Sequence, residues 1–299
     1  MDDVIIIGGG PAGIATAIQL RRHGIKWRLI EKLRAGGLIW NANWVENYPG
    51  FPRGISGPEL GALFVEQIGL PKITMDGVEK LCWSDGVFEV ATEQSIYKSK
   101  FVVVASGTKP KRLSGFYINH DLETRIFYDL ETIKDVCRKK LIVIGSGDIA
   151  YDYALNLAKN NSVIILNHSD QTKCLEQLKN KAEKHQNIKY YPKTKIVNLH
   201  INPEGNMNVE CSSPFGLKRF QSDYIVGAIG REPQIDYISP AVLKNAAEFE
   251  KKGILHFVGD VKNGLFRQAA IAVGDGISAG MAIHHRILEN ANESSLIHR

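Results

Sequence analysis

A glycine-rich turn near the start of the chain constrains the fold more than any other feature of the sequence. Gly8, Gly10 and Gly13 form the pattern Gly-x-Gly-x-x-Gly directly after the apolar run "VIII", and a stretch of helical character follows. The first glycine permits a tight turn, the second allows a pyrophosphate to approach, and the third allows the helix to pack on the strand. A second apolar strand ends in Glu31, whose carboxylate can accept hydrogen bonds from a ribose diol. The pattern predicts a β-α-β nucleotide-binding unit.

The same arrangement recurs in the second half of the chain. A strand at 141–144 leads into Gly145-x-Gly147-x-x-Ala150, a helix follows, and another strand covers 163–167. Two such units predict two nucleotide sites that meet, so that one bound cofactor can reduce the other. A degenerate nucleotide fold without a ligand is the alternative interpretation of this half.

The end of the second unit leaves the choice of nicotinamide cofactor open. The position that corresponds to Glu31, counted from the last small residue of each turn, is His168. An acid at this position favours NADH, and a basic group favours the 2′-phosphate of NADPH. The segment "NHSDQTK" offers His168 and Lys173 on one side and Asp170 on the other.

Composition is that of a soluble globular protein. The 299 residues are enough for two ordinary domains, and 44% of them are hydrophobic and 23% charged. The opening segment carries two aspartates and is broken by glycines, unlike a secretory signal, and no apolar run reaches the length of a membrane span. The net charge of +5 is modest and diffuse. We therefore expect a cytoplasmic protein that binds neither nucleic acid nor a membrane.

Cysteine placement argues against a metal site or a local disulfide. The four cysteines stand singly, at Cys82, Cys137, Cys174 and Cys211. None belongs to a Cys-x-x-Cys motif, and none lies at metal-ligand spacing from a histidine. Isolated thiols in a reducing compartment are the simplest interpretation.

Four further motifs accompany the two turns. They are "GGLIWNANWVENYPGFPRGISGPEL" (36–60), "FVVVASGTKPKRL" (101–113), "YIVGAIGREPQ" (224–234) and "GILHFVGDVKNGLFRQAAIAVGDGISAGMAI" (253–283). Together these motifs resemble the low-molecular-weight thioredoxin reductase family of FAD-dependent enzymes over essentially the whole chain. In the last motif Asp260 ends an apolar strand, where it suits a ribityl hydroxyl, and Gln268 and Ala269 open a helix whose positive end can stabilise charge on a reduced flavin. Alternatively, Asp260 caps a turn and the helix belongs to the core.

The resemblance implies an α/β protein with two Rossmann-like, three-layer nucleotide-binding domains, the second inserted into the first. The FAD-binding domain would comprise 1–112 and 246–299, and the NAD(P)-binding domain 113–245. Two strands would cross this boundary, near 113–116 and 242–245. The family also implies a homodimer.

Within the inserted domain, residues 188–223 alternate strand-like segments with turns. The segments are "IKYY", "KIVNLHIN" and "MNVECS". This pattern fits an antiparallel extension of such a domain.

The resemblance also assigns residues to the two cofactors. Those implied for FAD are Gly8, Gly10, Pro11, Ala12, Gly13, Glu31, Gly37, Leu38, Asn47, Ala105, Gly107, Gly259, Asp260, Arg267, Gln268 and Ala269. Those implied for NAD(P)H are Gly145, Gly147, Asp148, Ile149, Ala150, His168, Lys173 and Gly230.

The reactive Cys-x-x-Cys pair of the family is missing. Matching back from Gly145 without gaps places it on "YDLE", from Tyr128 to Glu131, and Cys137 downstream has no partner nearby in sequence. Without two thiols, electrons cannot pass to a protein disulfide by thiol exchange. Tyr128 and Glu131 are candidate acid or base groups beside the flavin. Alternatively, this stretch forms a short helix that packs on the domain with its charged residues solvated.

A second departure is the stretch "LIWNANW", which carries Leu38, Trp40 and Trp44 where relatives have polar residues. The tryptophans either stack on or shield a flavin, or fill a core or a dimer interface. The segment 126–155 also resembles the cysteine-free ferredoxin–NADP reductases of thioredoxin-reductase type.

Three functional hypotheses follow. In the first, NAD(P)H reduces FAD, and FAD reduces a ferredoxin-type carrier or a quinone-like small molecule. In the second, the protein binds FAD without using NAD(P)H, as a sensor, a structural subunit or a flavoprotein reduced by ferredoxin. In the third, a lone cysteine such as Cys137 takes part in thiol chemistry.

Overall fold

The computed structural model describes residues 2–69 and 72–297 and divides the chain into two compact α/β units. The first unit is built from 1–40, 44–109 and 233–299, and the second from 41–43 and 110–232. The second unit is therefore inserted into the first, as the family resemblance implies.

Strands and helices are interspersed along the chain, and two long runs consist of strands alone. The strands are β1 (Asp2–Ile7), β2 (Trp27–Glu31), β3 (Ile73–Met75), β4 (Val78–Ser84), β5 (Val87–Thr92), β6 (Ile96–Val104), β7 (Thr108–Pro110), β8 (Ile126–Phe127), β9 (Lys140–Ile144), β10 (Ser162–Leu166), β11 (Ile188–Tyr191), β12 (Lys195–Ile201), β13 (Met207–Ser213), β14 (Gly216–Ser222), β15 (Tyr224–Gly227), β16 (Arg231–Pro233) and β17 (Leu255–Phe257). The helices are α1 (Pro11–Arg22), α2 (Gly57–Ile68), α3 (His120–Glu123), α4 (Asp148–Leu157), α5 (Glu176–Glu183), α6 (Pro240–Lys244), α7 (Ala246–Lys251) and α8 (Ala269–Ile297). In the described part of the chain, none of these helices has the length and apolarity needed to cross a membrane.

A mixed sheet forms the centre of the first unit. Its strand order is β3-β2-β1-β6-β5-β4, and β17 also pairs with β6. Strand β1 pairs in parallel with β2 and β6. Val4, Ile5 and Ile6 of β1 are fully buried, because a central parallel strand is covered on both faces and requires a continuous apolar run.

The second unit contains a five-stranded parallel sheet and a separate antiparallel sheet. The parallel order is β11-β10-β9-β15-β8, and the antiparallel order is β12-β13-β14. The antiparallel extension expected in 188–223 is therefore present from β12 onward. The segment "IKYY", expected to belong to it, instead forms β11, since it pairs in parallel with β10.

The boundary between the units differs from the expected one at its second crossing. Residues 233–245 lie in the first unit rather than in the inserted one, because Ile238 pairs with Leu81 and Val242 is buried in the same core. The segment 242–245 is no strand, since Ser239 caps a helix that begins at Pro240. The segment 113–116 is irregular. The chain crosses at β7 and β16, which pair with each other.

Helices α1 and α8 of the first unit pack closely through small residues. A side chain at Gly276 would collide with the carbonyl oxygen of Ala12, and one at Gly280 would lie 2.9 Å from Cβ of Gln19. Gly274, on the exposed side of α8, has nothing within 4 Å of its would-be Cβ. The approach of the two helices therefore depends on the absence of a side chain at Gly276.

Alanine substitutions at Gly276 and at Gly274 are expected to have opposite effects on the free energy of unfolding. Gly276→Ala should lower the free energy of unfolding by about 1–3 kcal/mol, because helix backbone must shift to admit the methyl group. Gly274→Ala, the matched control, should raise it by up to about 1 kcal/mol, because alanine restricts the unfolded chain. Urea unfolding measures both. Shifts of equal sign and size would contradict the packing argument.

Candidate functional site

The first glycine turn leaves open space at the start of α1. Gly8 has φ +105°, and a side chain there would collide with the carbonyl oxygen of Ala105. A side chain at Gly13 would collide with the carbonyl oxygen of Gly8, so the helix lies directly against the strand end. At Gly10, by contrast, a Cβ would meet no described atom within 4 Å, and no side chain caps the helix there. The first N–H groups of α1 therefore suit an anion.

Two distant segments of the first unit approach this turn. The N–H of Gly36 donates to the carbonyl oxygen of Gly9 at 2.7 Å, and a Cβ on Gly37 would lie 2.9 Å from Cα of Gly10. From the closing motif, a Cβ on Gly259 would lie 2.9 Å from Cβ of Ala12. The structure thus brings predicted site residues from three parts of the chain to the start of α1.

Glu31 is held beside the turn by backbone donors. Its Oε2 accepts a hydrogen bond from the N–H of Gly9 at 2.7 Å. Its Oε1 accepts hydrogen bonds from the N–H groups of Leu33 and Arg34, at 2.9 and 3.3 Å. Because a carboxylate has about four acceptor positions, Glu31 keeps capacity for a ribose hydroxyl.

The closing motif is organised by a residue that the sequence analysis did not select. Oδ2 of Asp275, on α8, accepts hydrogen bonds from the N–H of Gly259 at 3.0 Å and from Nδ2 of Asn263 at 2.7 Å. It thereby fixes the 3₁₀ segment that contains Asp260. Its signal in the sequence was an acid within the otherwise small and apolar first half of α8, residues 269–283.

The remaining residues implied for FAD lie in the same unit. Asn47 Nδ2 donates to Gln268 Oε1 at 2.5 Å, which joins two distant motifs. Leu38 lies in a 3₁₀ segment at 37–41, and Gly107 follows β6 with φ +64°. Arg267 and Gln268 precede α8, which begins at Ala269.

The second glycine turn repeats the geometry of the first. Gly145 has φ +140°, and a side chain there would collide with the carbonyl oxygen of Ala228. At Gly147 a Cβ would meet no described atom within 4 Å, and no side chain caps α4 there. This turn therefore also leaves room for an anion at a helix N-terminus.

The other residues implied for NAD(P)H have different surroundings. Ala150 is fully buried and Ile149 is 44% exposed. Oδ1 of Asp148 accepts the N–H of Leu175 at 2.7 Å, and the N–H of Lys173 donates to the carbonyl oxygen of Ser146 at 2.9 Å. Gly230, with φ +109°, follows β15.

In the structure, the residue of the second unit that corresponds to Glu31 is not the predicted one. The N–H of Gly8 bonds to the carbonyl oxygen that precedes Glu31, whereas the N–H of Gly145 bonds to the carbonyl oxygen that precedes Asn167. The counterpart is therefore Asn167 and not His168, because Leu166 pairs with Ile144 as Ile30 pairs with Ile7, so the strand reaches this position one residue earlier than the count from Ala150 predicts.

Asn167 cannot take the role of Glu31. It is 1% exposed, and its Nδ2 donates to the carbonyl oxygen of Gln171 at 3.0 Å and to the hydroxyl of Tyr190 at 2.9 Å. Its Oδ1 accepts the N–H of Ser169 at 3.1 Å. The neutral side chain of Asn167 thus stabilises the loop that follows β10.

The three candidate residues of this loop, His168, Asp170 and Lys173, are all exposed. Asp170 forms an ion pair with Lys193, with Oδ2 and Nζ 3.1 Å apart. The hydrogen bond from Lys193 lowers the pKa of the Asp170 carboxyl. His168 and Lys173 lie on either side of Asp170 in the loop.

The residues at the position of the missing cysteine pair have structural contacts. Tyr128 is 8% exposed, its hydroxyl accepts the N–H of Leu113 at 2.9 Å, and its ring packs against Gly227. Glu131 pairs with Lys134 at 2.9 Å. In place of the expected short helix, the chain forms bends and turns over 128–135. These contacts favour the packing alternative over a catalytic role for Tyr128 and Glu131.

The two tryptophans of the "LIWNANW" stretch have different surroundings. The indole of Trp40 donates to the carbonyl oxygen of Ala35 at 2.8 Å, and the guanidinium of Arg34 stacks on its ring at 3.3 Å. Trp44 is 48% exposed and lines an open hollow of about 500 Å³ with apolar side chains such as Leu63. Trp40 therefore packs within its unit, and Trp44 contributes to the surface.

All four cysteines are free thiols. Cys211 is buried, which raises its pKa to about 12, and burial also raises the pKa of Cys174. Cys137 is exposed. Cys211 and the half-buried Cys174 are therefore poor nucleophiles at neutral pH.

One carboxyl group of the second unit is unusual. Asp152, on α4, accepts the N–H of Asn43 at 3.0 Å. Burial raises its pKa from 3.8 to about 6, although the bond from Asn43 and the charge of Lys159 oppose the shift. Because the folded pKa lies above the ordinary value, the folded protein holds this proton more tightly than the unfolded chain does. Stability from this group is therefore lost as the pH rises from 4 to above 6.

Asp152→Asn should consequently become more favourable as the pH increases. Relative to wild type, the free energy of unfolding of the variant should rise by about 1–3 kcal/mol between pH 4 and pH 8, because the neutral amide avoids the buried charge. Urea unfolding across this range measures the difference. The exposed Asp135→Asn is the matched control and should show a smaller change. A flat difference for Asp152→Asn would contradict the assignment.

Comparisons with known proteins agree with this architecture. A family profile described as "Pyridine nucleotide-disulphide oxidoreductase" matches residues 2–275. A thioredoxin reductase of Borreliella burgdorferi is 27% identical, over 95% of this chain and 91% of the relative. The "34.2 kDa protein in rubredoxin operon" of Clostridium pasteurianum is 29% identical, over 93% of this chain and 95% of the relative.

Solved structures give the same fold. Thioredoxin reductase of Lactococcus lactis superposes with a TM-score of 0.85 at 24% identity, covering 97% of this chain and all of that one. Bacillithiol disulfide reductase of Bacillus cereus superposes with a TM-score of 0.73 at 17% identity, covering 95% and 99%.

Proposed function

Because the chain belongs to the pyridine nucleotide-disulphide oxidoreductase family, we propose that it is a flavin-dependent NADPH oxidoreductase whose acceptor is not a disulfide. FAD, when bound, supplies the redox chemistry by accepting a hydride from NADPH and releasing the electrons to the acceptor. The observation that carries this proposal is the pair of matching turns, each with open space at a helix N-terminus beside Gly10 or Gly147.

The first unit would hold FAD along the start of α1. The free N–H groups after Gly10 would bind the pyrophosphate, and Glu31 would bind the adenosine ribose. Asp260 would hold a ribityl hydroxyl, and Asn47 and Gln268 would contact the flavin ring. The fit is supported by the open space at Gly10 and by the short bond between Asn47 and Gln268.

The second unit would prefer NADPH to NADH. Selective binding of NADH requires an acid that accepts hydrogen bonds from the ribose diol. The counterpart of that acid is the buried, neutral Asn167, and Asp170 is paired with Lys193. His168 and Lys173 remain exposed and suit a 2′-phosphate.

The acceptor would be a ferredoxin-type one-electron carrier or a quinone-like small molecule. The position of the family's dithiol is occupied by Tyr128 and Glu131, which have their own partners. A relative named for its place in a rubredoxin operon supports a small iron-containing electron carrier. A flavoprotein that does not use NAD(P)H, and thiol chemistry at Cys137, are the competing functions.

The assembly and the location of the protein stay predictions. We expect a homodimer, as the resemblance implies, and a cytoplasmic location, as the opening segment of the sequence suggests. Sedimentation of the purified protein measures its oligomeric state.

Anaerobic titration tests the use of NADPH. The flavin of the wild-type protein should bleach with NADPH, and more slowly with NADH. Gly10→Val should fold but lose FAD, because its side chain enters the space assigned to the pyrophosphate. Gly147→Val, the matched control, should keep FAD and lose bleaching by NADPH. Both glycines have extended backbone that valine can adopt.

The outcomes separate the candidate functions. A flavin that stays yellow with both nucleotides would reject the proposal in favour of the flavoprotein that does not use NAD(P)H. A colourless wild-type protein that cannot be reconstituted would reject FAD binding altogether.

Replacement of the cysteines tests the acceptor. A variant with Cys137→Ser and Cys174→Ser should reduce ferredoxin or benzoquinone with NADPH at a rate within about twofold of wild type, because no thiol takes part. Neither protein should reduce thioredoxin. Loss of acceptor reduction in the variant, with bleaching by NADPH unchanged, would instead support the lone-cysteine function.

A further inference from the structure

We propose that Lys193 makes the second nucleotide site selective for a 2′-phosphate by neutralising Asp170. The inference rests on the proposed use of NADPH and names the residue that sets this preference. Lys193 would act through Asp170. It would determine specificity although it lies outside both the glycine turn and the loop that follows β10.

The loop after β10 has a fixed shape. Asn167, at its start, binds the carbonyl oxygen of Gln171 and the N–H of Ser169. The hydroxyl of Ser169 also donates to the carbonyl oxygen of Gln171, at 3.0 Å. These bonds define the backbone on either side of Asp170, so its carboxylate has a restricted range of positions.

A second turn, between β11 and β12, is bonded to this loop. The N–H of Lys193 donates to the carbonyl oxygen of Ser169 at 3.0 Å, and the N–H of Thr194 donates to the carbonyl oxygen of Asn167 at 2.8 Å. Lys193 has φ +48°, in the left-handed region. These two backbone bonds place the lysine where its Nζ lies 3.1 Å from Oδ2 of Asp170.

The pair decides the charge that a nucleotide would meet. With Asp170 neutralised, Lys173 gives the loop a positive charge and the imidazole of His168 offers a hydrogen-bond donor, which together suit a phosphate dianion. If Lys193 were neutral, the carboxylate of Asp170 would repel a 2′-phosphate and could accept a hydrogen bond from a ribose diol. Lys193 and Asp170 are 54% and 62% exposed, so solvent moderates the effect.

Substitutions of the ion pair test the inference through nucleotide binding. The probes are 2′,5′-ADP and 5′-AMP, and the measured quantity is the ratio of their dissociation constants by calorimetry on the FAD-loaded protein. Lys193→Gln should lower the preference for 2′,5′-ADP by about three- to tenfold at low ionic strength. Salt should reduce this effect.

Two further variants make the test specific. Lys195→Gln, two residues away and exposed, removes the same charge without touching Asp170, and should change the ratio less than twofold. Adding Asp170→Asn to Lys193→Gln should restore the preference, because the freed carboxylate is then absent. Equal effects of Lys193→Gln and Lys195→Gln, or no restoration by Asp170→Asn, would overturn the inference.

The failure of this inference is distinguishable from the failure of the proposed function. If NADPH bleaches the flavin but Lys193→Gln behaves like Lys195→Gln, only the role of Lys193 is rejected. If the ratio shifts as expected but NADPH leaves the flavin oxidised, the proposed function is rejected and the binding preference stands. If wild-type protein binds neither probe, both are rejected.

Discussion

Direct contact between the start of a helix and the end of a parallel strand is the constraint on which both units depend. In the first unit a side chain on Gly13, in α1, would collide with the carbonyl oxygen of Gly8, at the end of β1. In the second unit α4 carries only the methyl group of Ala150 at this contact, and a Cβ on Gly145, at the end of β9, would lie 3.4 Å from it. Because nothing larger than a methyl group intervenes, the first N–H groups of each helix lie at the carboxyl edge of the sheet. A phosphate can be stabilised there by hydrogen bonds and by the helix dipole.

The two units share this frame but differ at the next strand. In the first, Glu31 is oriented by three backbone N–H groups and presents a carboxylate beside the turn. In the second, Asn167 turns inward and braces the following loop. The same fold therefore carries a negative group at the end of β2 and a neutral one directly after β10. Because of this difference, we propose FAD as the ligand of the first unit and NADPH as the ligand of the second.

The missing cysteine pair is replaced by packing rather than by another set of reactive groups. Tyr128 fills the space beside Gly227 and bonds to the backbone, while Leu130 and Ile133 are buried in the core of the second unit. Asp129 pairs with the almost buried Arg231 at 2.9 Å. A segment with these contacts is suited to support the domain, which agrees with an acceptor that takes electrons without a protein thiol.

The sequence by itself determined the fold class, the two glycine turns and the absence of the dithiol, because each depends on residue type at fixed local spacing. It placed β1 and β2 to within two residues, but it chose His168 as the counterpart of Glu31. Only the tertiary structure identified Asn167, since strand register and the end of β10 set that position. The pairing of Asp170 with Lys193 likewise joins loops distant in sequence. The residue types of each glycine turn could be identified from the sequence. The charge that each unit presents to a ligand depended on long-range contacts, which the spacing of residues does not encode.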